Sequence, residues 1–138
     1  GGTSTPVLTA EEARGMKMDF DSLRAAGSFL GAGGVIFLDD STDMVEVLSV
    51  IEHFLWHESC GQCTPCREGS GWLHRILSRI LSQGAVPGDL ENIVRIGENV
   101  TGRVICALGD TVGMVAKATA AKFRADFEKR LPKGNPHG

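Results

Sequence analysis

Four cysteines are the residues of this 138-residue chain whose type and spacing bear most directly on chemistry. Cys60, Cys63 and Cys66 form a Cys-x2-Cys-x2-Cys run, and Cys106 stands far downstream, a separation only folding closes. Thiols at three-residue spacing do not pair easily with one another, and an intracellular chain does not ordinarily keep disulfides, so metal ligation is the better reading. A tetrahedral Zn²⁺ site usually takes two Cys-x2-Cys knuckles, or one knuckle with His-x3-5-His, and three evenly spaced sulfurs plus a remote one fit that pattern poorly. A four-iron cubane is a larger body. A loop stepping three residues at a time places one thiolate on each of three corners, and the remote sulfur reaches the fourth. The expected ligands are therefore Cys60, Cys63, Cys66 and Cys106 around a [4Fe–4S] cluster. A structural zinc module held by the same four cysteines is the main alternative, and thiol redox chemistry at Cys60-x2-Cys63 a weaker third.

The elements that must position these sulfurs read as helices. Met44, Val47, Leu48, Ile51, Phe54 and Leu55 recur at i, i+3, i+4 spacing, with Ser41 or Thr42 as the cap of a first long helix. Thr64-Pro65 reads as an N-cap followed by proline at the first helical position, and the stripe from Gly69 and Trp72 through Leu81 predicts a second helix that Gly84 stops. Pro87-Gly88-Asp89 opens a third carrying Leu90, Ile93, Val94 and Ile96, ending before Gly102. Asp110 is the expected cap of a fourth, with Val112, Val115, Ala116, Thr119, Ala120, Phe123, Phe127 and Leu131 on its inner face. The expected fold class is thus mainly α, a four-helix bundle over residues 41–131. A connector over residues 15–40 precedes it, with a short helix around Asp21–Ala26 and one buried strand at Val35-Ile36-Phe37-Leu38. The glycines at 31, 33 and 34 precede that strand instead of following one, so they read as a turn and not as a phosphate cradle. Residues 132–138 read as a flexible tail.

The surroundings of the cysteines suit an anionic cofactor. Cys66 falls in the first turn of the second helix and Cys106 just ahead of the fourth, so unpaired backbone N–H groups at two helix N-termini point toward the sulfurs. Gly61 lets the ligand loop bend. Four thiolates on a core of about +2 leave about −2, and Arg67 and Arg103 are placed to offset it, with solvation of both the plainer alternative. Trp56 and Trp72 are expected to pack over the cluster and exclude water. His57, one turn after His53, is left outside the ligand set because four cysteines already fill four corners. His74 reads as surface-facing, His137 belongs to the tail, and Glu58 and Glu68 read as solvated acids at helix ends.

Composition bounds the rest. Lys+Arg 14 against Asp+Glu 17 gives −3, with 42% hydrophobic and 22% charged residues, which fits one modest domain with a core. Charges of both signs are interspersed and tyrosine is absent, so no nucleic-acid footprint is visible. No apolar stretch approaches the roughly 18 residues of a membrane span, and no signal segment opens the chain. The expected location is cytoplasmic. The missing initiator Met and the turn chemistry of Gly1–Leu8 read as a cut just after another domain.

The string Glu58-Ser59-Cys60-Gly61-Gln62-Cys63-Thr64-Pro65-Cys66-Arg67-Glu68-Gly69, followed by Ile105-Cys106-Ala107-Leu108-Gly109-Asp110, resembles the C-terminal region of the NADH-binding flavoprotein subunit of NADH:quinone oxidoreductase, respiratory complex I. Related subunits serve NAD-reducing hydrogenases and NAD-linked formate dehydrogenases, and the resemblance fits all three assemblies. It extends through Met18–Leu23 and Gly33–Ile36, and so covers almost the whole chain. Many members carry a Trp-Pro pair after the fourth cysteine, where this chain has Asp110 followed by Thr111-Val112-Gly113. The resemblance implies that residues 1–14 end a ubiquitin-like domain and that NAD and FMN sites lie in an upstream domain. It further implies that Cys60, Cys63, Cys66 and Cys106 hold a [4Fe–4S] cluster passing single electrons from FMN to the next iron–sulfur centre toward quinone. The implied partners are the upstream flavin and NADH domain and other iron–sulfur subunits, in the peripheral arm of a membrane-bound complex, with no direct membrane insertion.

Overall fold

The computed structural model describes residues 2–131. Over these the chain forms a 3-10 helix at Gly2–Ser4 and α-helices α1 (Ala10–Ala13), α2 (Phe20–Ala25), α3 (Met44–Glu58), α4 (Thr64–Gln83), α5 (Asp89–Val100), α6 (Ala107–Lys122) and α7 (Arg124–Glu128). No strand occurs among the described residues. The expected tail at 132–138 lies outside them.

The four long helices lie where the apolar period places them, and their ends follow local chemistry. The cap of α3 is Asp43, whose carboxylate accepts from the N–H of Val45 at 2.8 Å and of Glu46 at 3.2 Å. Ser41 and Thr42, the expected caps, instead donate to Asp39 at 2.6 and 3.1 Å. An acid nearer the helix outcompetes them because it also meets the positive end of the helix dipole. Gly84 ends α4 at φ 91°, as expected. The expected fourth helix is broken in two: Phe123 (φ −115°, ψ 34°) separates α6 from α7. The turn brings Phe127 into the core and lets the Arg130 carbonyl accept from the N–H of Ala85 at 2.9 Å.

Leu48 of α3, Leu73 and Leu77 of α4, Ile93 of α5 and Val112 and Ala116 of α6 are wholly buried in one core. Each large aliphatic side chain so buried contributes about 1.5–3 kcal/mol. Phe54, expected in the α3 stripe, is exposed. Helix α5 packs closely on α6 through glycines. A Cβ on Gly97 would lie 2.8 Å from the Gly113 carbonyl oxygen, and one on Gly113 would collide with the Gly97 carbonyl and the Thr101 hydroxyl. This crossing fixes where α6 begins, and hence where Cys106 sits.

The connector corrects one expectation. Val35-Ile36-Phe37-Leu38 is neither a strand nor buried, and Phe37 is 90% exposed. A strand needs a neighbouring edge for its N–H and C=O groups, and no strand among the described residues supplies one. The short helix α2 forms close to its expected place, capped by Asp19. The preceding segment is tied down along α6: Lys122 Nζ donates to the Val7 carbonyl at 2.9 Å and to Glu12 at 2.8 Å.

Candidate metal centre

Three segments meet at one end of the helices: the α3–α4 loop, the first turn of α4, and the α5–α6 loop. Their side chains line a cavity of about 120 Å³ that includes Cys60, Cys63, Cys66 and Cys106. Folding thus brings the remote cysteine to the same cavity as the run of three. Cys66 is buried, Cys63 half-buried, and Cys60 and Cys106 are exposed, so the cavity is sealed on the core side and open to solvent on the other. Among the described residues, no three His, Cys, Asp or Glu side chains are drawn together as ligands of a single ion would be.

The loop is held by its own side chains. Gly61 takes φ 76°, where other residues are strained, and its carbonyl accepts from Arg67 Nη1 at 2.7 Å. Ser59 Oγ lies 3.3 Å from Cys66 Sγ and accepts from the N–H of Gly61 at 3.3 Å, so one hydroxyl ties the loop to the buried sulfur. On the far side, the Asp110 carboxylate accepts from the N–H of Gly102 at 2.7 Å. Asp110 therefore does not cap its helix as expected. It lies in the first turn of α6 and fastens the loop that carries Cys106.

Helix α4 has Cys63 as its N-cap and α6 has Cys106, and no side chain caps either end. Both positive helix ends therefore lie at the cavity with backbone donors free of side-chain acceptors, as expected from the cysteine positions. Burial pushes the Cys66 thiol up; the Ser59 hydrogen bond opposes this, and the Cys106, Cys63 and Cys60 sulfurs add to it. Its neighbours thus disfavour the Cys66 thiolate, a difficulty that a bound cation removes.

Other expectations fare differently. Neither Arg67 nor Arg103 lines the cavity. Arg67 spends its guanidinium on the Gly61 carbonyl and on Glu68 at 3.0 Å, and Arg103 is held by Asn99 Oδ1 at 2.5 Å. Trp56 and Trp72 do not cover the cavity either. Trp72 is six residues past Cys66, some 240° round the helix, and Trp56 stacks on His74 with ring centroids 4.7 Å apart. His74 is accordingly half-buried, not surface-facing, and burial with nearby His53 and Arg75 holds its pKa below the ordinary histidine range. His57 stays outside the cavity and pairs with Glu58 at 3.0 Å. Sequence reasoning passes over Ser59 as a positioning residue, although a hydroxyl two residues before a turn glycine is the available signal. It also passes over Val104 and Leu108, the apolar wall, and Glu52, wholly buried in α3.

Known proteins carry the same region. The NADH-quinone oxidoreductase F protein of Rickettsia bellii (strain OSU 85-389) is 41% identical over 131 residues, 95% of this chain and 31% of that protein. Its counterpart in Rickettsia rickettsii (strain Sheila Smith) is 40% identical over the same length. The chain thus spans about a third of the length of these curated relatives. Among solved structures, an NAD⁺-reducing [NiFe]-hydrogenase in the air-oxidized state superposes with a TM-score of 0.82 at 28% identity, covering 95% of this chain and 22% of that one. Residues 46–130 match the NADH-ubiquinone oxidoreductase-F iron-sulfur binding region, and the chain belongs to that family.

Proposed function

We propose that this chain is the electron-transfer domain of an NADH dehydrogenase flavoprotein subunit, with Cys60, Cys63, Cys66 and Cys106 as ligands of a [4Fe–4S] cluster. The observation that carries the reading is that four thiols from segments far apart in sequence line one cavity at the N-termini of α4 and α6. A cluster held there supplies one-electron transfer between a flavin reduced by NADH and the next iron–sulfur centre toward quinone. The donor set fits it in kind and number, since iron–sulfur clusters take four thiolates. Zn²⁺ would draw four sulfurs to about 2.3 Å from a single point, whereas a cavity of about 120 Å³ leaves room for a larger body.

The chain's own residues do the rest. Two open helix ends offset the anionic charge, Ser59 holds the Cys66 sulfur, and Val104 and Leu108 keep water from the inner wall. We read residues 41–131 as the cluster-binding unit, its four long helices forming a bundle. Residues 1–14 are read as the end of a ubiquitin-like domain and 15–40 as the connector. NAD and FMN are assigned to an upstream domain, and the neighbours to that domain and to other iron–sulfur subunits of a peripheral arm. Among the described residues no helix is long and apolar enough to cross a membrane.

Elemental analysis of anaerobically purified protein tests the reading. About four iron and four acid-labile sulfide per chain are expected. Stoichiometric zinc without sulfide would overturn it in favour of a structural zinc module.

A further inference from the structure

A second concave surface lies beside the cysteine end. It is an open groove of about 860 Å³ between α4 and α5, beginning at Thr64 and Pro65 and running along both helices. Helix α4 turns Glu68, Trp72 and Ile76 into it, and α5 turns Asn92, Ile96 and Asn99, at the i, i+3, i+4 spacing of one helix face each. The floor is apolar, and Trp72 stands half exposed over it, a large aromatic surface with no core to cover it.

The charge of the groove is what selects an occupant. Arg75, Arg95 and Arg103 all line it, although the chain as a whole carries −3. Among the described residues none of the three arginines enters an ion pair with an acid. Arg95 and Arg103 are held instead by the amide oxygens of Asn92 at 2.8 Å and Asn99 at 2.5 Å, contacts that fix the guanidinium groups without neutralising them. Glu68 is the one acid in the lining, and its carboxylate is already taken by Arg67 at 3.0 Å. The groove therefore presents three unneutralised, partly positioned cations around an exposed tryptophan.

We propose that this groove docks an acidic segment of another protein chain, which seats an apolar side chain against Trp72 and its carboxylates against Arg75, Arg95 and Arg103. Tryptophan and arginine are the side chains that most often anchor protein interfaces. Bidentate guanidinium–carboxylate pairs supply direction and steer association. An elongated channel between two helices suits a peptide segment better than a compact small molecule. The groove stands on side chains outside the cysteine cavity, so the proposal does not depend on what the cysteines bind.

The test places p-benzoylphenylalanine at position 72 of the full-length protein in its native assembly, with photo-crosslinked peptides identified by mass spectrometry. The expected adduct lies on a net-negative stretch of a different protein chain. Its yield falls roughly tenfold in Arg75→Glu/Arg95→Glu/Arg103→Glu, falls at high salt, and is retained in the corresponding triple lysine variant. Circular dichroism and iron content of the variants separate loss of docking from loss of fold or cofactor. No adduct in the folded assembly would overturn the proposal. So would an adduct on a neutral or basic stretch, on a second copy of this chain or on its own upstream region, or a yield indifferent to charge reversal.

Discussion

Glu52 is wholly buried in α3, and neither carboxylate oxygen makes a hydrogen bond. Burial pushes its carboxyl well above the ordinary carboxylate range, so the folded chain holds a proton that the unfolded chain releases. Folding is therefore most favoured by this group below its ordinary value of 4.5, and the benefit is lost as pH rises above it. Glu52→Met, similar in volume and free of charge, is expected to stabilise the protein by about 1–3 kcal/mol at neutral pH. The gain should grow as pH rises above 4.5, as measured by denaturant midpoints. A variant no more stable than the parent across that range would show that the carboxyl finds a partner. The cysteines stand in contrast. Cys60, Cys63, Cys66 and Cys106 were legible as a candidate site because few arrangements use sulfur at that spacing. Glu52 was not, since a lone acid in an apolar stripe reads as a solvated position until packing closes over it.

Helices α3 to α6 were legible from the apolar period, because burial of one face is what makes a helix of this length persist. Two features were not. The break at Phe123 depends on the core reached by Phe127 and on the Arg130 carbonyl meeting Ala85, contacts between segments far apart in sequence. Val35–Leu38 carries the composition of a buried strand but no strand among the described residues runs beside it, and composition alone does not reveal whether a partner is present. The crossing of α5 and α6 is equally a tertiary fact. Gly113→Ala would drive a Cβ against the backbone of Gly97 and the Thr101 hydroxyl, groups that cannot rotate away without giving up their own bonds. The expected cost is about 1–3 kcal/mol, read as a lower denaturant midpoint, and, under the proposed ligation, partial loss of iron, because Cys106 heads the displaced helix. Unchanged stability and iron content would mean that the crossing does not set the position of α6.

Over the described residues the chain is helical, and its four cysteines gather at one end. The cysteine cavity and the head of the α4–α5 groove both sit there, and the N-terminal segment is strapped along α6 by Lys122 and Thr111. The proposed ligation has a direct thermodynamic consequence: ligands that are distant in sequence would couple cofactor binding to folding of everything between them. Under the proposed function Cys106 acts together with the three-cysteine loop. Mössbauer and low-temperature EPR spectra of the reduced protein, recorded for the parent and for Cys106→Ala, test that most directly. The expected result is a four-iron signal in the parent that is lost or degraded to a smaller cluster in the variant. An intact four-iron spectrum with unchanged iron content in Cys106→Ala would contradict it.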